Sequence, residues 1–204
     1  MKYILEKFKI RDGFTALEMV VVLAIFTAIS AQVLVSFTGL NEGVALYRST
    51  QELALNIRKA QNMSIAVSQL PGFILNPPYT SPPAIGVFLS TLPSEAGSYF
   101  LFVDHNIHNY VYDAGASPTE KIPDSDTQLL GHVYIKSIQY LNAGSLVDVP
   151  AGRAFVVFDA TEGTLHFTAG FGFDLQDYLE ITLVTPSGRT KQLILRTSGQ
   201  INIK

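Results

Sequence analysis

One uncharged apolar run near the start of the chain limits what the whole sequence can fold into. Residues 19–40 contain no charged side chain, and Gln32 with a few Ser and Thr residues supplies their only polarity. As an α-helix with a rise of 1.5 Å per residue, this run would be about 33 Å long, enough to cross a hydrocarbon core of about 30 Å. The sequence therefore predicts a membrane-spanning helix with the carboxylate of Glu18 at its start.

The segment before the run is short and basic. Its basic side chains are Lys2, Lys7, Lys9 and Arg11, and its acidic ones are Glu6 and Asp12. Four cations and two anions give this leader a net charge of +2. Because basic flanks stay on the cytoplasmic side, we expect the rest of the chain on the outer side of the membrane.

Glu18 is costly in this position. An acidic side chain inside a spanning helix costs roughly 2.5–3.5 kcal/mol on insertion scales, and less near the interface. The first turns of the run offer it no obvious partner. Cleavage between Gly13 and Phe14 would create an α-amino group four residues before Glu18, which is one helical turn away. The carboxylate could then be neutralised by the amine of its own chain or of a neighbouring one.

The stretch "RDGFTALEMVVVLAIFTAIS" closely resembles the class III signal of type IV pilins and type II secretion pseudopilins. That pattern is a basic leader ending in Gly, then Phe, Thr or Ser, two small or apolar residues, Glu and an apolar stretch. The matching residues are Gly13, Phe14, Thr15 and Glu18. Ala16 and Met19 stand where Leu is commoner. The motif covers about a tenth of the chain.

The resemblance implies a set of partners and a location. Prepilin peptidase would cleave after Gly13, and Phe14 would be N-methylated. Glu18 would pair with the N-terminal amine of an adjacent subunit. The expected partners are other pilin or pseudopilin subunits, the peptidase, an inner-membrane assembly platform and membrane lipid. The expected location is a single pass through the inner membrane with the head outside the cytoplasm, and a filament after assembly.

We expect the chain to consist of four segments: a leader (1–13), a transmembrane half-helix (14–40), an amphipathic half-helix (41–70) and a β-rich head (71–204). In the second half-helix, apolar and small residues recur at helical spacing and form one stripe. They are Leu46, Leu53, Ile57, Ala60, Ser64 and Val67. We expect one long helix over about 14–69, ended by Pro71 and Gly72. The predicted class is α+β: a pilin-like fold with this helix packed on an antiparallel β-sheet head.

Eight strand-like runs follow the prolines at 77–83. They are 84–91, 98–105, 132–141, 154–160, 164–169, 178–185, 191–197 and 200–203. "TPSGRT" joins two of them and fits a type I turn with a bulge, Gly188 being the fourth turn residue. The segments "LYRSTQELALNIRKAQNMSIAVSQ" and "LEITLVTPSGRTKQLILRTSGQINI" resemble the helix and closing hairpins of GspH/FimT-like minor pilins and pseudopilins.

The stretch "DHNIHNYVYDAG" (104–115) is the polar cluster with ligand-like spacing. Asp104, Asn106 and His108 alternate, and Asp113 follows. Calcium loops place oxygen ligands at positions 1, 3 and 5, so Asp104, Asn106 and Asp113 are candidate calcium ligands, although imidazole at position 5 is a poor one. A solvated loop with Asx-turns explains the same residues. His105 and His108 are weak candidates for a transition metal. No other cofactor is expected.

Composition excludes several other functions. The net charge of −3 argues against a nucleic-acid binder, and the absence of Cys excludes disulfides and thiolate chemistry. No "GxSxG" elbow or phosphate-binding glycine motif is present. The resemblance to pilins implies a non-enzymatic structural subunit of a type IV pilus, competence pilus or type II secretion system, and no catalytic motif points elsewhere. The alternative is a membrane-anchored or secreted β-rich binding or enzyme domain with an ordinary signal sequence, including cleavage after "AIS" (28–30).

Overall fold

The computed structural model describes residues 15–66, 83–104, 109–115, 119–159, 164–169, 173–174 and 178–204. One helix, α1, spans Ala16–Ile65. The strands are β1 Ala84–Ser90, β2 Ser98–Asp104, β3 Thr127–Gln128, β4 Tyr134–Asn142, β5 Ser145–Asp148, β6 Arg153–Asp159, β7 Thr164–Ala169, β8 Phe173–Asp174, β9 Tyr178–Val184, β10 Thr190–Arg196 and β11 Ile201–Ile203. Short 3-10 turns lie at Leu130–His132 and Pro150–Gly152.

The chain divides into two compact units, residues 1–40 and residues 41–204, and helix α1 has residues in both. In the first unit, the side chains of residues 15–34 are exposed except for the half-exposed Ser30. In the second unit, the predicted stripe is buried: Leu46, Leu53, Ile57, Ala60 and Ser64. Arg48, Arg58 and Lys59 are exposed on the opposite side. The amphipathic pattern is therefore confirmed between Leu46 and Ser64, and Val67, Pro71 and Gly72 lie outside the described residues.

Six of the described strands form one antiparallel sheet in the order β3-β2-β1-β6-β7-β8. All seven residues of β1 are buried, because β1 is a central strand with β2 on one side and β6 on the other. Ala84 pairs with Asp104, and Phe88 pairs with both Phe100 and Phe155. Large apolar side chains therefore lie on both faces of this sheet.

The other five described strands form a second antiparallel sheet in the order β11-β10-β9-β4-β5. On β9, Leu179, Ile181 and Leu183 are fully buried and face the core, as their alternation with Glu180 and Thr182 predicts. A bulge between Ile135 and Ser137 interrupts the β4–β9 register. The turn at 185–188 has the predicted form: the Gly188 amide donates to the Thr185 carbonyl at 2.9 Å, and Gly188 has φ +86°.

One core joins the second half of α1 to the inner faces of both sheets. Its helix residues are Leu46, Leu53, Ala54, Ile57 and Ala60; Val87, Leu101, Val156 and Phe167 are among its residues from the six-stranded sheet; Ile138, Ile181 and Leu193 are among those from the five-stranded sheet. A second, aromatic core lies on the outer face of the six-stranded sheet around Phe88, Phe102 and Phe155. The predicted α+β architecture is thus confirmed, with two sheets where one was expected.

Each of the eight predicted strands is present to within about two residues at either end. Three strands were not predicted: β3, β5 and β8. They have two to four residues and lie at sheet edges, too short to show an alternating pattern. These short strands are defined by their pairing with a longer neighbouring strand. A local sequence pattern does not show which strands will be neighbours.

Candidate functional site

The start of α1 is closed by a capping box between Thr15 and Glu18. The Thr15 amide and hydroxyl both donate to Glu18 Oε2, at 2.8 and 2.9 Å, and the Glu18 amide donates to Thr15 Oγ1 at 3.2 Å. A reciprocal Thr-x-x-Glu arrangement of this kind satisfies backbone donors that a helix start leaves open. The expectation that the first turns offer Glu18 no partner is therefore wrong: Thr15 is its partner within the chain.

The capping box was visible in the sequence as "TALE" but was not identified as a helix start. Both bonds from Thr15 end on Oε2, so Glu18 Oε1 takes part in neither of them. The carboxylate can therefore cap its own helix and still offer one oxygen to another group. Gly13 and Phe14, the predicted cleavage and methylation residues, lie outside the described residues.

The apolar side chains that follow Glu18 are exposed. Leu17, Val20, Phe26 and Leu34 are exposed to at least 62%. By length and composition, α1 could cross a membrane. Burying one such side chain is worth about 1.5–3 kcal/mol. This surface is therefore stable in lipid or against other apolar helices, and unfavourable in water.

The predicted calcium ligands are placed only in part. Asp104 is fully buried at the end of β2, and its Oδ2 accepts the Tyr110 amide at 2.7 Å. Asp113 accepts Asn109 Nδ2 at 3.3 Å. Asn106 lies outside the described residues, as do His105 and His108. Across the described ranges, no group of three or more Asp, Glu, His or Cys side chains could hold a metal. Calcium binding by this loop stays a prediction.

The described part of that loop, residues 109–115, covers the outer face of the six-stranded sheet. The Val111 amide donates to Asn109 Oδ1 at 3.0 Å, which is an Asx-turn. The Tyr110 hydroxyl donates to Asp159 Oδ2 at 3.0 Å, and its ring stacks on His166 at 4.1 Å. Tyr110 therefore fastens the loop over the aromatic core. Sequence reasoning did not identify Asp159 or His166, because they are distant in the chain.

A cleft of about 340 Å³ opens beside this aromatic core. Phe88 and Phe100 stack in it with 4.7 Å between ring centroids, and Tyr112 meets Phe100 edge-on with 4.9 Å between ring centroids. Two ion pairs border it: Arg153–Glu95 at 2.5 Å and Lys121–Asp126 at 2.7 Å. The Arg153 guanidinium holds the pKa of the Glu95 carboxyl below its ordinary value.

The main core contains one buried phenol. Tyr99 on β2 is fully buried and its hydroxyl accepts Asn56 Nδ2 of α1 at 2.8 Å. Burial raises the pKa of Tyr99 to about 12. A phenol this hard to ionise has no role as a base near neutral pH, so the contact serves helix–sheet packing.

The described residues therefore contain three features of functional interest: the capped carboxylate at the helix start, the loop fastened by Tyr110, and the aromatic cleft. Compared with protein-family models, with curated proteins and with solved structures, the chain matches none of them.

Proposed function

We propose that this chain is a structural subunit of a membrane-derived filament, a minor pilin or pseudopilin of a type IV pilus, a competence pilus or a type II secretion system. The carrying observation is Glu18: a single carboxylate in the first turn of an exposed apolar helix, with one oxygen outside its own capping bonds. The resemblance of residues 11–30 to a class III signal supports the same conclusion.

Movement of subunits from the membrane into a filament needs a favourable interaction that lipid does not supply. Lipid tails and packed helices solvate apolar side chains about equally well, so apolar burial alone does not favour a filament over the membrane. Pairing of a carboxylate with an ammonium in a low-dielectric setting does favour the filament. The attraction between the two charges offsets the cost of keeping each of them out of water. Glu18 Oε1 would accept the N-terminal amine of an adjacent subunit, and Thr15 would hold Oε2 fixed meanwhile.

Processing would supply that amine. Cleavage after Gly13 by prepilin peptidase would free the Phe14 amine, which N-methylation leaves cationic. The leader carries +2 of a total of −3, so the mature chain would carry −5 on its side chains. An inner-membrane assembly platform would then move subunits from the bilayer into the filament, with the β-rich head outside the cytoplasm.

The first test is the mature N-terminus. The protein purified from its native membrane should begin at Phe14, with a methylated amine, by N-terminal sequencing and mass spectrometry. A chain that begins at Met1 or at Ala31 contradicts the proposal and favours an anchored or secreted domain with an ordinary signal sequence.

The second test separates charge from capping at Glu18. Glu18→Gln keeps an oxygen that can accept the Thr15 bonds but removes the charge. We expect normal membrane insertion and a loss of incorporation into filaments, measured by the share of the subunit in sheared filament preparations. Thr15→Val is the matched control, because it removes the hydroxyl from the cap, at a cost of about 0.5–2 kcal/mol, and keeps the charge and the backbone amide that donates to Glu18.

The two variants give opposite expectations. Thr15→Val should be incorporated, since the carboxylate is still present. Incorporation of Glu18→Gln at the level of the parent chain would eliminate the pairing role of the carboxylate. Equal loss in both variants would mean that the capped helix start, and not its charge, is what assembly requires.

The aromatic cleft gives a second candidate function, ligand binding by an anchored head. Stacked Phe88 and Phe100 with the Arg153–Glu95 pair at the border offer both apolar and charged contacts. In this alternative the N-terminal segment serves only as a membrane anchor. It predicts that Glu18→Gln has no phenotype, whereas Arg153→Gln impairs the protein's function in cells.

A further inference from the structure

One end of the head is built around the start of the second half of α1. Tyr134 at the beginning of β4 pairs with Val184 at the end of β9, and Val184 pairs with Thr190 at the beginning of β10. The loop at 130–133 and the turn at 185–189 therefore emerge at the same end of the five-stranded sheet.

Both segments contact α1 just after the apolar run. Ser187 Oγ donates to Glu42 Oε2, and the Leu130 amide donates to Ser49 Oγ at 2.8 Å. A Cβ on Gly43 would lie 3.1 Å from Arg189 Nη1, so this guanidinium also lies against the helix. Lys191 Nζ is 5.8 Å from the centroid of the Tyr47 ring.

Chain connectivity fixes the distance between this end of the head and the apolar run. Glu42 is two residues after Leu40, and consecutive Cα atoms are 3.8 Å apart, so the two Cα atoms are separated by less than about 8 Å. This limit holds for any angle between the two compact units. If residues 19–40 lie in a bilayer, the turn that holds Glu42 lies at the level of the headgroups.

We name this end the basal surface and define it by its Lys and Arg side chains and by the exposed ring and apolar side chains beside them. They are Arg48, His132, Lys136, Arg189, Lys191, Tyr47, Leu130 and Tyr134. All are exposed except the half-exposed Lys191, with Tyr47 at 53% and Leu130 and Tyr134 each at 43%. Lys and Arg beside Tyr are the side chains that occupy the membrane–water interface, because each combines an apolar body with a polar tip.

An open cleft of about 660 Å³ adjoins this surface. His132, Tyr134 and Lys136 line it, and its described lining includes no carboxylate. The chain as a whole is acidic, with a net charge of −3. Arg48, Lys136, Arg189 and Lys191 outnumber Glu42, the carboxylate that Ser187 holds at this end, so this end of the head is cationic although the chain is acidic.

We propose that the basal surface binds anionic phospholipid headgroups of the bilayer that holds residues 19–40, so that the head is held against the membrane before assembly. The inference rests on the membrane insertion assumed under the proposed function and does not require filament assembly. Each Lys or Arg close to an anionic surface contributes enough to shift the docked-to-undocked ratio about fivefold.

The experiment uses the full-length chain in vesicles of phosphatidylcholine, with and without roughly one third phosphatidylglycerol. The chain contains no Cys, so a single Thr190→Cys carries a polarity-sensitive fluorophore at the basal surface. Ser198→Cys, in the turn after the opposite end of β10, is the matched reporter. We expect a blue shift at position 190 in the anionic vesicles only, and no shift at position 198.

Variants that remove positive charges test whether the cations of the basal surface cause the docking. Lys136→Gln with Arg48→Gln should lower the docked-to-undocked ratio about 25-fold, at about fivefold for each cation. The control removes the same charge elsewhere: Arg58→Gln with Arg196→Gln, both exposed and outside the basal surface, should leave the ratio unchanged.

The outcomes separate this inference from the proposed function. Chains that float with the vesicles but show no lipid-dependent shift at position 190 overturn docking and leave the proposed function intact. A shift that is equal in neutral and anionic vesicles, or that both charge pairs reduce equally, also overturns it. Chains that do not float at all contradict membrane insertion, and with it both proposals.

Discussion

At the scale of single residues, carboxylates in this chain are used to fasten segments together. Glu18 holds the helix start through Thr15, and Asp104 holds the Tyr110 amide. Asp159 accepts the Tyr110 hydroxyl. Charge-assisted hydrogen bonds of this kind are stronger than neutral ones, which compensates for removing a carboxylate from water. In these three cases an acidic residue joins two parts of the chain by hydrogen bonds.

The Arg153–Glu95 pair gives a pH-dependent prediction. Because the folded-state pKa of Glu95 is lowered, the pair stabilises the head above the unfolded pKa and loses that effect as pH falls through the folded pKa. Glu95→Gln should lower the free energy of unfolding by about 0.5–1 kcal/mol at pH 7, since both groups are partly exposed.

The measurement is urea denaturation of the full chain in detergent at pH 7 and at about pH 3, below the carboxyl pKa range. The difference between Glu95→Gln and the parent should shrink towards zero at the lower pH. Asp126→Asn removes the other ion pair, whose carboxylate side chain is 57% exposed, and should change stability less. A difference for Glu95→Gln that stays constant with pH would contradict the electrostatic explanation.

Gly86 tests the packing of the outer aromatic core. A Cβ at this position would lie 2.5 Å from both Cε1 and Cζ of Phe102 and 3.0 Å from Cγ2 of Val157. Gly86→Ala should therefore lower the free energy of unfolding by about 1–3 kcal/mol, the usual cost of overpacking a core. Gly97→Ala is the control, because nothing lies within 4 Å of its Cβ position. Equal effects in the two variants, by urea denaturation, would mean that the Phe102 contact is not the cause.

At the scale of elements, α1 is attached to the head by polar contacts as well as by its apolar stripe. Asn56 donates to the Tyr99 hydroxyl on β2, and Ser64 Oγ donates to the Phe158 carbonyl on β6 at 2.8 Å. Ser49 accepts the Leu130 amide. Apolar burial supplies most of the attraction, and directional bonds of this kind fix the rotation of the helix on the sheets.

Removing one of these contacts should have a pH-dependent effect. Tyr99→Phe should lower the free energy of unfolding at pH 7 by about 0.5–1.5 kcal/mol, the net contribution of a hydrogen bond. The pKa of Tyr99 is raised to about 12, so the folded state keeps the neutral phenol after the unfolded chain has begun to ionise it at about pH 10. The parent therefore loses stability from Tyr99 between these two values, and the Phe variant does not.

Chemical denaturation of parent and Tyr99→Phe at pH 7 and at about pH 11 measures both effects. The gap in stability should narrow or reverse at the alkaline pH. Other tyrosines ionise in both proteins and cancel in the comparison. A gap that stays constant or widens above pH 10 would show that burial does not raise the pKa of Tyr99 in the folded protein.

At the scale of the whole molecule, the division into residues 1–40 and 41–204 predicts an independently folded head. The main core takes its helix residues from Leu46 onward, so removing the apolar half takes no residue from it. A chain that begins at residue 41 should show a cooperative thermal transition by circular dichroism. A chain that begins at residue 54 lacks Leu46, Ser49 and Leu53, and should lose that transition.

Leu53→Ala in the chain that begins at residue 41 provides a quantitative control. Leu53 is fully buried where α1 meets the sheets, so truncation should cost about 2–5 kcal/mol of unfolding free energy. A non-cooperative transition in the unmutated 41–204 chain would mean that the head needs the apolar half-helix to fold.

The sequence by itself determined the long helix, the eight main strands and the 185–188 turn, because each rests on a local pattern: an uncharged run, helical spacing, alternation, or Pro and Gly at fixed turn positions. It also contained the Thr15–Glu18 cap, which depends on residues three apart. Only the tertiary structure decided the split into two sheets, the three short edge strands and the aromatic cleft. Glu95 and Arg153 are 58 residues apart, and such pairs meet only once strand order and register are fixed. Local patterns carry the conformation of each element, whereas contacts between distant residues depend on how all the elements bury their apolar faces together.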